Sequence, residues 1–134
     1  MPPRRQFELP EEDRDYLNDR LRLEWEAVRE GEVRRLVVRG FSIPEGYNVA
    51  EADLFLRIEA SYPDAQIDMV YFSPALSLKS GRAVNALSVE QFDGKPWQRW
   101  SRHRTPENPW IAGVDNVERH LLLVHEWLER ELRK

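Results

Sequence analysis

Tyr62-Pro63 … Tyr71-Phe72-Ser73-Pro74 … Gly81 … Phe92-Asp93-Gly94 … Trp97-Gln98-Arg99-Trp100-Ser101-Arg102-His103-Arg104 is the most informative run in the chain. Ile67 to Phe72 is more continuously apolar and reads as a strand. Upstream, Ala52, Leu54, Leu56 and Ile58 alternate with Asp53, Phe55 and Arg57, and Val33 to Val38 forms another apolar run. Leu21, Leu23, Trp25 and Ala27 alternate with Arg22, Glu24 and Glu26, a period of two that argues for a half-buried strand; a longer first helix is the rival reading. Gly31 and Pro44-Glu45-Gly46-Tyr47-Asn48 supply turn residues. Short turns between four such strands predict an antiparallel meander.

Residues 1–10 read as an extended arm. Pro10 followed by Glu11, Glu12 and Asp13 predicts a helix start, because proline suits the first turn and acids suit the positive end of the helix dipole. That helix is expected to reach about Asp19. From Ser73 to Gly113 no period is visible, and so long an irregular segment is commonly functional or hides short elements. The chain closes with a predicted helix in which Val117, His120, Leu121, Val124, Trp127, Leu128 and Leu132 recur at helical spacing. Asp115 is its expected N-cap and Glu118 the capping-box partner.

With 134 residues and no cysteine, the chain is expected to be one domain without disulfides, thiol chemistry or cysteine-bound metal. No apolar run approaches the roughly 20 residues of a membrane span, and Met1-Pro2-Pro3-Arg4-Arg5 lacks the apolar core of a secretory signal. A cytoplasmic protein fits these limits. His120 and His125 are poorly spaced for one metal, and neither a glycine-rich phosphate loop nor a Gly-x-Ser-x-Gly elbow occurs, so no metal or cofactor is expected. The net charge of −4 argues against general nucleic-acid binding. Residues 97–104 are nevertheless a basic aromatic island. Arg99, Arg102 and Arg104 can hold phosphate, or they can pair with carboxylates while Trp97 and Trp100 fill the core.

The order of elements and the quoted residues resemble the ubiquitin-conjugating fold, an α+β architecture. It has an N-terminal helix, a four-strand antiparallel meander, a long active-site segment and a C-terminal helix. Tyr62-Pro63 matches a Tyr-Pro pair after the third strand, Pro74 the proline of a His-Pro-Asn turn, and Trp100-Ser101 a later Trp-Ser pair. With Gly81, Phe92-Asp93-Gly94 and Trp97 to Arg104, the set resembles prokaryotic ubiquitin-conjugating-like family E across about residues 7–133. The resemblance implies three partners: a ubiquitin-like protein, a ThiF-type activating-enzyme-like protein, and a metalloprotease-type deconjugase in the same pathway. Three residues depart from the pattern. The cysteine is missing, Ser73 replaces the histidine and Ala75 the asparagine.

Counting from Pro74 puts the missing cysteine near Ala83 or Val84, and counting back from Trp100 puts it near Phe92. Ser88 falls between and is the best-placed hydroxyl for an oxyester in place of a thioester. A serine needs an adjacent base, for which His103 or Asp93 is the candidate, and oxyanion donors, for which Asn85 is one. Ser101, next to His103, is the second candidate nucleophile. The competing reading makes Ser88 a helix N-cap with Gln91 completing the box. Two functions follow from the resemblance. One is a noncanonical carrier that transfers a ubiquitin-like protein, and the other is an inactive adaptor that only binds the modifier or its activating enzyme.

Overall fold

A computed structural model describes residues 2–134. The first helix, α1, spans Glu11–Asp15 and continues as a wider π-helical turn over Tyr16–Leu21. It ends at Arg22, whose left-handed backbone (φ 59°) turns the chain into the sheet. Six strands follow: β1 (Trp25–Glu30), β2 (Val33–Ser42), β3 (Glu51–Arg57), β4 (Val70–Ser73), β5 (Leu87–Phe92) and β6 (Lys95–Trp100). The closing helix, α2, spans Val117–Leu132.

All strand pairs are antiparallel, in the spatial order β1-β2-β3-β4-β6-β5. The expected four-strand meander is present as β1 to β4, but it is not the whole sheet. The segment expected to be irregular contains the β5–β6 hairpin, which adds two strands beside β4. Its turn is Asp93-Gly94, both at positive φ (55° and 78°), the conformation a two-residue hairpin turn requires.

The sheet has two buried faces. Leu36, Val38, Leu54, Leu56, Phe72 and Trp100 pack with Val117, Leu121, Val124, Trp127 and Leu128 of α2. On the opposite face Val28, Val37, Phe55, Tyr71, Phe92 and Trp97 form an aromatic layer. Phe55 and Tyr71 stack there at 4.2 Å, an arrangement worth roughly 1 kcal/mol beyond area burial. Among the described residues no helix covers this face, and Arg35 lies over part of it. Its guanidinium lies over Phe92 (4.3 Å) and Phe55 (5.3 Å) and is held by Glu90 (3.0 Å) and Glu30 (3.2 Å).

One cap differs from expectation. Asn116, not Asp115, caps α2 by accepting from the Arg119 amide (2.9 Å), while Asp115 accepts from Ile111 N (2.7 Å). Asp13 is a second tie at that end. Its buried carboxylate accepts from the Tyr62 hydroxyl (2.7 Å) and from Val117 N (3.2 Å), joining α1, the Tyr62-Pro63 turn and α2. Burial pushes the Asp13 carboxyl upward and, together with Asp13, pushes the Tyr62 phenol upward as well.

Candidate functional site

The candidate residues gather around the β5–β6 hairpin and the turn that leads into it. Between Ser73 and β5 the chain is held by two primary amides. The Asn48 side chain accepts from Ser77 N (2.8 Å) and donates to Ala75 O (3.0 Å). The Gln98 side chain accepts from Leu76 N (2.9 Å), donates to Leu76 O (3.1 Å) and also accepts from Trp100 Nε1 (2.9 Å). Each amide thus satisfies a donor and an acceptor of a loop that lies outside the strands and is otherwise tied by an isolated bridge from Leu78 to Tyr47. Leu76 and Leu78 are driven inward and buried.

Further along the loop, Arg82 reaches Glu131 (3.1 Å) near the C-terminal end of α2, where Arg102 and Lys134 (both 3.2 Å) also converge. Burial works to raise the Glu131 carboxyl, but Lys134, Arg82 and Arg102 together hold it below the usual range. A buried carboxylate with three cationic partners is a structural anchor for the loop rather than a proton acceptor.

Register places the other candidates. Glu26, Val37, Phe55, Tyr71, Arg99 and Ser88 are successive cross-strand partners from β1 to β5, so Ser88 and Arg99 share the face of the aromatic layer, opposite α2. Ser88 therefore stands in a strand and does not cap a helix. It lines a shallow cavity of about 540 Å³ with Ser73, Pro74, Ala75, Leu87, Val89 and Pro96. Among the described residues Arg99 has no ion-pair partner, and its Nε and the Tyr71 hydroxyl are buried without hydrogen bonds.

The expected bases lie elsewhere. His103 Nδ1 is 2.7 Å from Asp68 Oδ2, on an exposed ring. Asp93 sits at the hairpin turn and accepts two bonds from Arg4 (2.8 and 3.0 Å), which holds its carboxyl below the ordinary carboxylate range. Arg4 bonds Glu26 as well and, with Arg39, brings that carboxyl down to about 2. Asn85 is exposed, and its carbonyl accepts from Arg102 (3.2 Å). Ser101 is half-buried, with its amide donating to Ala86 O (3.0 Å). No hydrogen bond among the described residues joins Ser88 to His103, Asp93, Asn85 or Ser101.

The basic aromatic island resolves into structural parts. Trp97 and Trp100 are buried on opposite faces of the sheet, with Trp97 Nε1 donating to Phe92 O (3.0 Å), so neither ring is open to stack a base. Arg102 lies over Trp100 (4.8 Å) and pairs with Glu131, while Arg104 lies over Trp110 (4.9 Å) and faces Asp115 (3.5 Å). Pro63 accepts from Trp110 Nε1 through its carbonyl (3.0 Å). The two counts toward the missing cysteine also part: Phe92 is buried in the aromatic layer, whereas Ala83 is exposed in the loop. Among the described residues no cluster of three or more His, Asp or Glu side chains converges as metal ligands would, and no helix is long and apolar enough to cross a membrane.

Sequence reading missed Asn48 and Gln98, whose signal was weak because single amides are common in loops. It also missed the β5 edge, although the Asp93-Gly94 pair between two short runs marks a hairpin. No curated protein and no solved structure matches the chain. A family model described as prokaryotic E2 family E matches residues 9–131, and the chain belongs to that family.

Proposed function

We propose that this chain holds and positions a ubiquitin-like protein in a bacterial conjugation pathway as a carrier that forms no thioester. Family membership supports a carrier role in ubiquitin-like conjugation. The absence of cysteine argues for a carrier that does not bind through sulfur. One observation favours holding over covalent transfer: both expected bases are engaged away from Ser88, His103 by Asp68 and Asp93 by Arg4. A serine without a base is a weak nucleophile. In this reading a ThiF-type protein activates the modifier in the cytoplasm, this chain receives it, and a metalloprotease-type deconjugase reverses the conjugation.

The second reading is an oxyester on Ser88, favoured by the strand register that sets this serine beside Arg99. Ser88 Oγ would bond the modifier's terminal carbonyl carbon as the activating partner's leaving group departs. The proton would pass to a base supplied by that partner.

Intact mass spectrometry after incubation with the activating protein, the modifier and ATP separates these readings. A stable complex with the modifier and no mass gain is the expected outcome. A gain of one modifier less water, cleaved by mild base and lost in Ser88→Ala, would establish the oxyester. Neither a complex nor a gain would remove the chain from the pathway.

A further inference from the structure

We infer that the outer edge of β5 docks the extended C-terminal tail of a polypeptide, added as a seventh strand with its terminal carboxylate against Arg99. This deepens the proposed function and rests on it for the source of the tail, the ubiquitin-like modifier.

The phase of the ladder exposes the edge. Ser101 N donates to Ala86 O, so Ala86 bonds inward toward the chain leaving β6. Bonding alternates along an antiparallel strand, so Ser88, Glu90 and Phe92 also bond inward, and Leu87, Val89 and Gln91 turn their amide and carbonyl groups outward. The opposite edge of the sheet is treated differently. There Gln6 N donates to Ala27 O (2.7 Å) and Ala27 N to Arg4 O (2.9 Å), so the arm covers β1. Proteins ordinarily cover or blunt such edges. Among the described residues no strand or arm backbone pairs with the outer side of β5.

Side chains specify the occupant. Val89 is 66 % exposed beside the cavity walled by Leu87, Pro74, Ala75 and Pro96, which suits an apolar side chain at alternate positions of a tail. On the other face, among the described residues, Arg99 has no carboxylate partner and the buried Tyr71 hydroxyl beside it has no hydrogen bond, and Ser88 between Arg99 and the edge is short. An added strand would lie about 10 Å from β6, two strand spacings, so a long arginine passing over a serine can meet a carboxylate there. A carboxylate near Ser88 with upstream residues beside Gln91 makes the tail antiparallel to β5. Leu87 to Gln91 spans four residue steps, roughly 14 Å, enough for four to six tail residues.

The test is an NMR titration with an acetylated hexapeptide of alternating valine and serine ending in glycine, as the free acid and as the amide. Shifts confined to residues 86–92 and 99 are expected, with the acid binding about tenfold more tightly than the amide. Val89→Pro removes an outward N–H and spares the β5–β6 ladder, so it should weaken both peptides about tenfold while the protein stays folded. Arg99→Gln leaves the edge intact and should erase the preference for the acid. Shifts elsewhere, no binding at millimolar peptide, or Val89→Pro binding like wild type would overturn the assignment. A wild-type dimer that Val89→Pro dissociates would also overturn it, by giving the edge to a second copy. The intact modifier, with and without its last six residues, keeps the two proposals apart. Tail-independent binding of the modifier overturns the edge and leaves the proposed function standing. Peptide binding without modifier binding supports the edge and removes the pathway role.

Discussion

His120 is fully buried on the inner side of α2, with its ring edge-on to Trp127 at 5.5 Å. As a neutral imidazole it donates from Nε2 to the Met69 carbonyl (2.9 Å), and Nδ1 has no partner among the described residues. Burial lowers its pKa from 6.5 to about 4; the nearby Arg104 adds to this, while the Met69 carbonyl, Asp68 and Asp115 oppose it. Between those two values the unfolded chain binds a proton that the native protein refuses. Stability contributed by the neutral ring is therefore complete above about pH 6.5 and is lost as the pH falls toward about 4, up to roughly 3 kcal/mol. Carboxylates titrate in the same range, so the measurement is a difference. Urea midpoints of wild type and His120→Gln should converge as the pH is lowered through that window. Parallel profiles would show that the ring carries none of the acid sensitivity.

Asn48 and Gln98 hold the loop from Ala75 to Leu78, which lies outside the strands and meets Tyr47 in an isolated antiparallel bridge at Leu78. Asn48→Ala removes both side-chain bonds to that loop and should cost about 1–3 kcal/mol. Amide exchange should quicken at Ser77 before it quickens in β2 or β3; uniform acceleration would mean that the loop and sheet open as one unit. The legible elements were those whose period matched their burial. β3 was readable because Ala52, Leu54 and Leu56 face α2 in strict alternation. The burial in α2 follows the spacing of Val117, His120, Leu121, Val124, Trp127 and Leu128. β1 was displaced by a few residues, because Tyr16–Leu21 stays helical and only the turn at Arg22 releases the chain into a strand. β5 and β6 escaped notice because exposed Val89 and buried Phe92 break the alternation that an edge strand would otherwise show. For the candidate site, the types were legible but their company was not. Ser88 and Arg99 are eleven positions apart, and only the register of the hairpin makes them neighbours.

The two edges of the sheet give the molecule a polarity. Residues 4–6 bind along β1, Arg5 lies over Trp25 at 3.5 Å, and Arg4 spans from Glu26 to Asp93 at the tip of the hairpin. Glu26 lies on β1 and Asp93 in the turn of the β5–β6 hairpin, and β1 and β5 are the two ends of the sheet order, so this one arginine ties the hairpin back to β1. Deleting residues 2–6 would leave Phe7 and Leu9 in the core but bare the outer amides of β1. It would also take from Glu26 and Asp93 a partner that holds both carboxyls low. An uncovered strand edge recruits another strand, so the truncated protein should self-associate in sedimentation velocity at concentrations where the full chain does not. Its melting temperature should fall by several degrees, consistent with a loss of about 1–2 kcal/mol in a chain of this size. Restoring only Arg4 through Gln6 should reverse both effects, because those residues carry every arm contact to Glu26, Asp93, Trp25 and Ala27 named above. A truncated protein that stays monomeric and melts like the full chain would mean that β1 needs no cover, and the contrast between a covered β1 and an open β5 would lose its meaning.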